Sequence, residues 1–495
     1  MTKVATLLCD FYKVSHKNAY PDGTTKIYST FTPRSNKHFP ISNEVVVFGI
    51  QGFIKKFLID FFNDNFFNRK KEDVVYEYER IIKYTLGVEN PDSSHIAQLH
   101  DLGYLPIKLK ALKEGTKLPI KVPVLTIENT HPDFYWLTNY LETLLSTEIW
   151  KPMTSATIAN AYRKILNEYA IKTTGSTNGV EFQAHDFSMR GMSSLDSAMI
   201  SGAGHLLSFV GTDTIPSILY LEEYYNANVE KELVGTSIPA TEHSVMSANT
   251  SADGDRNEYE TFKNLITKVF PSGLVSIVSD TYDFWKVISE TIPSLKEEIM
   301  NRDGKVVIRP DSGNPVDILC GTVSEFAEGV TTEEKGLIEC LWDIFGGTVT
   351  EQGYKVLDSH IGAIYGDSIT IERATQICEK LERKGFASTN VVFGIGSYTY
   401  QYNTRDSFGF AMKATYAEIN GEPKLLFKDP KTDDGTKRSQ RGKVHVHYKD
   451  NEITYVDGLT NENEIKMRNL LEVVFEDGKL IREQRLNEIR ELVKC

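Results

Sequence analysis

VEFQAHDFS (180–188), LVSIVSDTYD (274–283), KVVIRPDSGN (305–314), HIGAIYGDSIT (360–370) and NVVFGIGSYT (390–399) share one pattern. Each is a short apolar run that ends in a polar, acidic or glycine-rich turn and passes into a helical stretch. Strands that alternate with helices imply a parallel sheet, because a parallel crossover needs a connection long enough to hold a helix. Five consecutive units predict an α/β fold in which residues 179–405 form a closed or partly closed (β/α) barrel. Residues just past the strand ends of such a barrel line its active site, so these turns should converge on one pocket.

Outward from this core the pattern changes. The first third is mixed: strands are expected at TKIYST and EVVVFG, and an aromatic-rich helical pattern runs from about Gly52 to Tyr84. In PVLTIENTHPDFYW a strand leads to a helix opened by a His-Pro-Asp turn, and Ser155 is placed to cap a further helix, ATIANAYRKILNEYAIK. After about Asp406 strands return in FAMKATYAEI, KVHVHYK and NEITYVDG, so the tail should pack with the N-terminal third. The expected organisation is therefore a mixed α/β domain, built from 1–178 and 406–495, packed with the barrel-like domain. ANTSADGDRNEYE (248–260) and DPKTDDGTKRSQRGK (429–443) read as surface loops.

At 495 residues the chain exceeds the size at which one hydrophobic core usually stops growing. A net charge of −13 argues against a generic nucleic-acid surface, which would show a basic excess. Any phosphate site must then be a local basic cluster. Cys9, Cys320, Cys340, Cys378 and Cys495 form neither a CxxC pair nor a zinc pattern, and are expected as reduced thiols. The apolar stretch before Asp10 is too short for a signal peptide, and no run approaches the roughly 18 apolar residues of a membrane span. A cytoplasmic protein without membrane or nucleic-acid partners is the expectation.

Asp186, Asp213, Asp280, Asp311 and Asp367 stand at or just after the expected strand ends, with Arg190 and Arg309 among them. Vicinal sugar hydroxyls, a magnesium ion and a cationic transition state each use carboxylates so placed. One such aspartate is as readily a helix N-cap; five together favour a site. Small residues at Gly366-Asp367-Ser368 and Gly394-Ile395-Gly396-Ser397 suit phosphate, since unpaired backbone N–H groups point outward there. FGIGSYTY lacks the third glycine of a dinucleotide fingerprint, which counts against a Rossmann dehydrogenase. His243, between Glu242 and Ser244, is either a surface histidine or a base or phosphoryl acceptor, with Asp280 to orient its second nitrogen.

In order and spacing, AHDFSMRGMSS, GTDT, SIPATEHS, VSIVSDTYD, IRPDSGNP, YGDSIT and TRDSFGFAMKAT, with DFYKVSHKNAYP and YSTFTPRSNK, resemble the nicotinamide phosphoribosyltransferases, which are type II phosphoribosyltransferases. The resemblance spans nearly the whole chain. It implies a barrel with a mixed α/β domain made by both chain ends, and synthesis of nicotinamide mononucleotide and pyrophosphate from nicotinamide and phosphoribosyl pyrophosphate. Phe187 and Tyr12 would sandwich the nicotinamide, Tyr12 coming from the partner of a homodimer with shared sites. Asp213 would accept from the carboxamide NH₂, Arg190 and Arg309 would lie on the ring and ribose sides, and Ser276 would touch substrate.

Asp280 and Asp311 would serve the ribose hydroxyls and a Mg²⁺ ion, and the 5′-phosphate would lie at Gly366, Asp367, Gly396 and Ser397. Arg34, Arg405, Lys413 and Lys428 would grip the diphosphate across the dimer, supplying the basic cluster. His243, beside Glu242, matches the family histidine that ATP phosphorylates. FGIGSYTY stands where the family pattern has a richer FGSGGG loop. The rival activity is nicotinate phosphoribosyltransferase, which should not place a carboxylate such as Asp213 beside a carboxylate substrate; a non-catalytic binding protein on the same fold is the third reading.

Overall fold

The computed structural model describes residues 4–250, 258–323, 330–366, 368–429, 432, 439–462 and 465–494, so Asp367, Cys495 and parts of both surface loops lie outside the described residues. The chain divides into two compact units: Met1–Thr157 with Leu219–Asn228 and Asn403–Cys495, and Ile158–Ile218 with Val229–Tyr402.

The first unit is built on a seven-stranded antiparallel sheet, in the order Glu422–Leu425, Ala411–Ile419, Thr24–Thr32, Leu125–Asn129, Ile107–Ala111, Glu472–Glu476, Lys479–Leu480. The C-terminal tail joins the N-terminal third through the pairing of Thr24–Thr32 with Ala411–Ile419. Alternation sets the faces: Ile107, Leu109 and Ala111 are buried, while Lys108 and Lys110 pair with Glu476 and Glu462, each at 2.6 Å. Phe31 and Phe410 stack across the core with centroids 5.5 Å apart.

The second unit carries six parallel strands, which we number in chain order: β1 Ala184–Asp186, β2 Gly211–Thr212, β3 Val275–Val278, β4 Val306–Arg309, β5 Ile361–Tyr365 and β6 Val391–Ile395. Their spatial order is β2-β1-β6-β5-β4-β3. The β3 and β5 strands are buried at every residue, as expected of parallel strands covered on both faces. The two sheet edges are joined by the segment 236–241. Thr236 exchanges backbone hydrogen bonds with Val210 and Thr212 beside β2, and Ser276 of β3 does so with Pro239 and Thr241. All five anticipated runs are strands; GTDT adds β2, too short to show a periodicity.

Two helix boundaries differ from the sequence reading. The aromatic pattern is not one helix. Wide π-type turns run over Ile54–Phe61 and Asn63–Phe67, the chain breaks at 68–70, and a new helix covers Lys71–Leu86, with Glu72 and Asp73 at its positive end. Ser155 caps nothing: it is buried inside a continuous helix, Glu142–Thr174. Pro152 lies within that helix and packs on Gly49, where a Cβ would stand 2.4 Å from the proline Cγ. Thr154 and Thr157 donate their hydroxyls to the carbonyls of Trp150 and Met153, one turn earlier in the same helix.

Candidate active site

A cavity of about 280 Å³ opens inside the second unit, lined by β-strand and turn residues that include His185, Phe187, Asp213, Ser237, Ser276, Lys305 and Arg309. His185 and Phe187 are two residues apart on β1 and its exit, and therefore share a face. Their rings lie 4.5 Å apart, and the Arg309 guanidinium sits 4.9 Å from the Phe187 centroid. Two glycines permit this packing. A Cβ on Gly394 would lie 2.9 Å from Phe187 Cδ2, and one on Gly366 would lie 2.8 Å from Arg309 Nε and 2.5 Å from Asp311 Oδ1.

Asp213 follows β2, and its Oδ1 receives both His185 Nε2 at 2.8 Å and the Ser237 hydroxyl at 2.6 Å. Burial alone would raise its pKa, but the bonds from His185 and Ser237 and the nearby His185 and Arg309 charges outweigh that. The carboxyl is held below its ordinary value. Ser276 lines the same cavity, and its buried hydroxyl has no hydrogen-bond partner among the described residues.

Asp280, just after β3, is linked to the turn after β4. Its Oδ2 accepts from the Asp311 backbone N–H at 2.8 Å and from the Ser312 hydroxyl at 2.6 Å. Its buried Oδ1 has no hydrogen-bond partner among the described residues, and His243 Nε2 stands 4.0 Å from it. The other nitrogen of His243, Nδ1, is 3.3 Å from Thr281 Oγ1, so the imidazole is held between two groups while remaining half-exposed. Glu242 precedes the helix His243–Asn249 and accepts a hydrogen bond from Ser244. Glu258 is buried nearby, and its pKa is pushed up to about 7, first by burial and then by Asp280 and Asp283.

Among the described residues no three His, Cys, Asp or Glu side chains gather as a metal site. Gly396 and Ser397 open the short helix Ser397–Tyr400 after β6, and a Cβ on Gly191 would lie 2.0 Å from Ser397 Oγ. Arg190 is exposed on the turn Met189–Gly191. Asp186 leaves the set of candidate site carboxylates. It is fully buried, with its oxygens bound to the Ser188 N–H and the Thr214 hydroxyl at 2.9 Å each, so it fixes turns.

Tyr12, Arg34, Arg405, Lys413 and Lys428 all belong to the first unit. The four cations are electrostatic neighbours. Burial lowers the Lys413 pKa and Arg34, Lys428 and Arg405 lower it further, against the pull of Glu142. Arg34 Nε donates to the Gly409 carbonyl at 2.9 Å. Tyr12 is exposed, with Lys13 5.0 Å from its ring centroid, and it lines a second cavity of about 290 Å³ together with Asp10, Glu142, Trp150 and Arg405.

Sequence reasoning missed His185 and Ser237. The period-two relation of His185 to Phe187 was the available signal for the first, whereas the approach of residues 236–241 to β2 depends on tertiary pairing.

Residues 182–479 match the model of the nicotinate phosphoribosyltransferase (NAPRTase) family, and residues 4–109 match the nicotinamide phosphoribosyltransferase N-terminal domain. The chain is 51% identical to a protein of Acinetobacter baylyi named nicotinamide phosphoribosyltransferase, covering 97% of this chain and 95% of that one. A protein of the same name from Xanthomonas campestris is 32% identical, with 97% and 96% covered. The fold is similar to that of human nicotinic acid phosphoribosyltransferase, at a TM-score of 0.55 and 13% identity over 99% of this chain and 93% of that one. With its family match across the barrel and relatives that align almost end to end, the chain belongs to the nicotinate phosphoribosyltransferase (NAPRTase) family.

Proposed function

We propose that the protein is a pentosyltransferase of NAD salvage that joins nicotinamide to the ribosyl phosphate of phosphoribosyl pyrophosphate, forming nicotinamide mononucleotide and pyrophosphate. The observation that carries this reading is Asp213: a carboxylate held ionised beside Phe187 and Arg309, in a cavity sized for a small ring. It can accept from a carboxamide NH₂, whereas nicotinate brings no donor and a second negative charge. The relatives' names support the same choice.

In this reading the ring stacks on Phe187 and its nitrogen attacks C1 of the ribose as the diphosphate leaves. The transition state is oxocarbenium-like and needs no covalent enzyme–sugar bond. Asp280 and Asp311 stabilise the positive charge developing on the sugar. Gly366, Gly396 and Ser397, with Asp367 from outside the described residues, receive the 5′-phosphate. Arg34, Arg405, Lys413 and Lys428 would grip the diphosphate across a homodimer.

Magnesium usually takes one or two carboxylates and completes its shell with substrate phosphates and water. The orphaned buried Oδ1 of Asp280 fits that demand, and Asp280 with Asp311 would hold the ion, which supplies charge neutralisation to the leaving diphosphate. The exposed Tyr12 supports a homodimer in which it covers the partner's nicotinamide. Mixing Tyr12→Ala and Phe187→Ala subunits should then restore part of the activity, and verified heterodimers without complementation would contradict shared sites.

His243, half-exposed and held beside Thr281 and Asp280, is proposed to accept the γ-phosphoryl group of ATP. Intact-mass analysis after ATP incubation should show one acid-labile phosphate; no phosphohistidine and an ATP-independent rate would end that proposal. The four described cysteines are free thiols and no described helix is long and apolar enough to cross a membrane, which support a cytoplasmic location. The reaction itself is tested by incubating the protein with phosphoribosyl pyrophosphate, magnesium and nicotinamide. Chromatography should show nicotinamide mononucleotide and equimolar pyrophosphate; neither product would refute the assignment.

A further inference from the structure

We infer that His185 and Ser237 are positioning residues that select the amide substrate, by fixing which oxygen of Asp213 meets it. The inference rests on nicotinamide transfer as the reaction and goes beyond it, to the parts that keep the acceptor in its selective form. Both protein donors converge on one atom: His185 Nε2 at 2.8 Å and Ser237 Oγ at 2.6 Å from Asp213 Oδ1. A carboxylate has two oxygens and about four lone-pair sites. With Oδ1 occupied twice, Oδ2 is left to face the substrate as a pure acceptor.

A flexible aspartate would rotate, or take up a proton and become a donor that welcomes a carboxylate. Two charge-assisted bonds oppose both changes. They also set the histidine tautomer, because an ionised Asp213 accepts only from an Nε2 that carries the proton. Room for the imidazole comes from Gly211, where a Cβ would stand 2.8 Å from His185 Nδ1. The same imidazole packs 4.5 Å from the Phe187 ring, so one side chain links the stacking surface to the carboxylate that reads the amide. Ser237 arrives on a different element, the segment 236–241 that joins the two edges of the sheet.

The test is the ratio of kcat/KM for nicotinamide to that for nicotinate in wild type, His185→Phe, His185→Gln and Ser237→Ala. His185→Phe keeps a flat ring against Phe187 and removes the donor; its ratio should fall at least fivefold. His185→Gln restores an N–H donor and should recover most of the ratio. Ser237→Ala deletes one hydroxyl at an exposed position, so it folds and carries the test even if the imidazole variants do not; it too should lose at least fivefold. A purely structural role would lower both substrates together and leave the ratio unchanged, and that outcome overturns the inference. A wild type that makes no nicotinamide mononucleotide would instead refute the proposed reaction, which keeps the two failures distinct.

Discussion

Gly366→Ala separates the chemistry of the site from the stability of the fold. The glycine follows β5, and a Cβ there would lie 2.5 Å from Asp311 Oδ1 and 2.8 Å from Arg309 Nε. An ordinary carbon–oxygen contact is about 3.5 Å, so the carboxylate must retreat by about 1 Å. Both are side-chain atoms, which move more cheaply than backbone, although only Asp311 Oδ1 is terminal and Arg309 Nε carries the guanidinium that packs on Phe187; Gly366 does not sit at positive φ. The substitution should therefore cost about 1–3 kcal/mol in stability, which leaves the protein folded. Catalysis should suffer far more, because a misplacement of about 1 Å in a reacting constellation costs on the order of 100-fold. The assays are denaturant unfolding and kcat/KM for phosphoribosyl pyrophosphate. A folded variant with wild-type kcat/KM would refute the placement of Arg309 and Asp311 at the reacting centre.

Further outcomes are expected. Asp213→Asn should narrow the preference for nicotinamide over nicotinate by at least tenfold in kcat/KM, since a bond to a charged acceptor contributes about 1.5–3 kcal/mol and the amide can donate to either substrate. Because the Asp213 carboxyl is depressed by its donors, its ionised form persists as pH falls through the ordinary carboxylate range. The substrate preference in wild type should accordingly hold at pH 5 and fade only below that range. Lys384→Met should destabilise the protein by about 3–5 kcal/mol in denaturant unfolding, because it strands Glu339, whose partner lies 2.5 Å away with both side chains 2% exposed. An effect below about 1 kcal/mol would show that the pair is not buried in solution.

The parts of this account that were legible in the sequence are those with local signatures. The barrel strands were readable because each short apolar run ends in its own polar turn, and Asp280 and Asp311 because they follow those runs directly; Asp213 follows a two-residue strand with no periodicity of its own, and only the GTDT motif marked it. Asp186 obeys the same local rule, yet the Ser188 N–H and Thr214 hydroxyl claim its oxygens, and only tertiary contact reveals that. Ser155 was misplaced for a related reason: the local cap pattern is real, but the helix begins earlier, at Glu142, and runs through Ser155 to Thr174. The clamp on Asp213 joins residues 24 and 28 positions apart in sequence, a distance at which periodicity says nothing.

The most direct test of the central claim is a competition. The protein is given phosphoribosyl pyrophosphate, magnesium and equal concentrations of nicotinamide and nicotinate, and the two mononucleotides are quantified at low conversion. An ionised Asp213 that accepts from the carboxamide and repels the acid predicts at least about a tenfold excess of nicotinamide mononucleotide. Equal yields, or an excess of nicotinate mononucleotide, would contradict it.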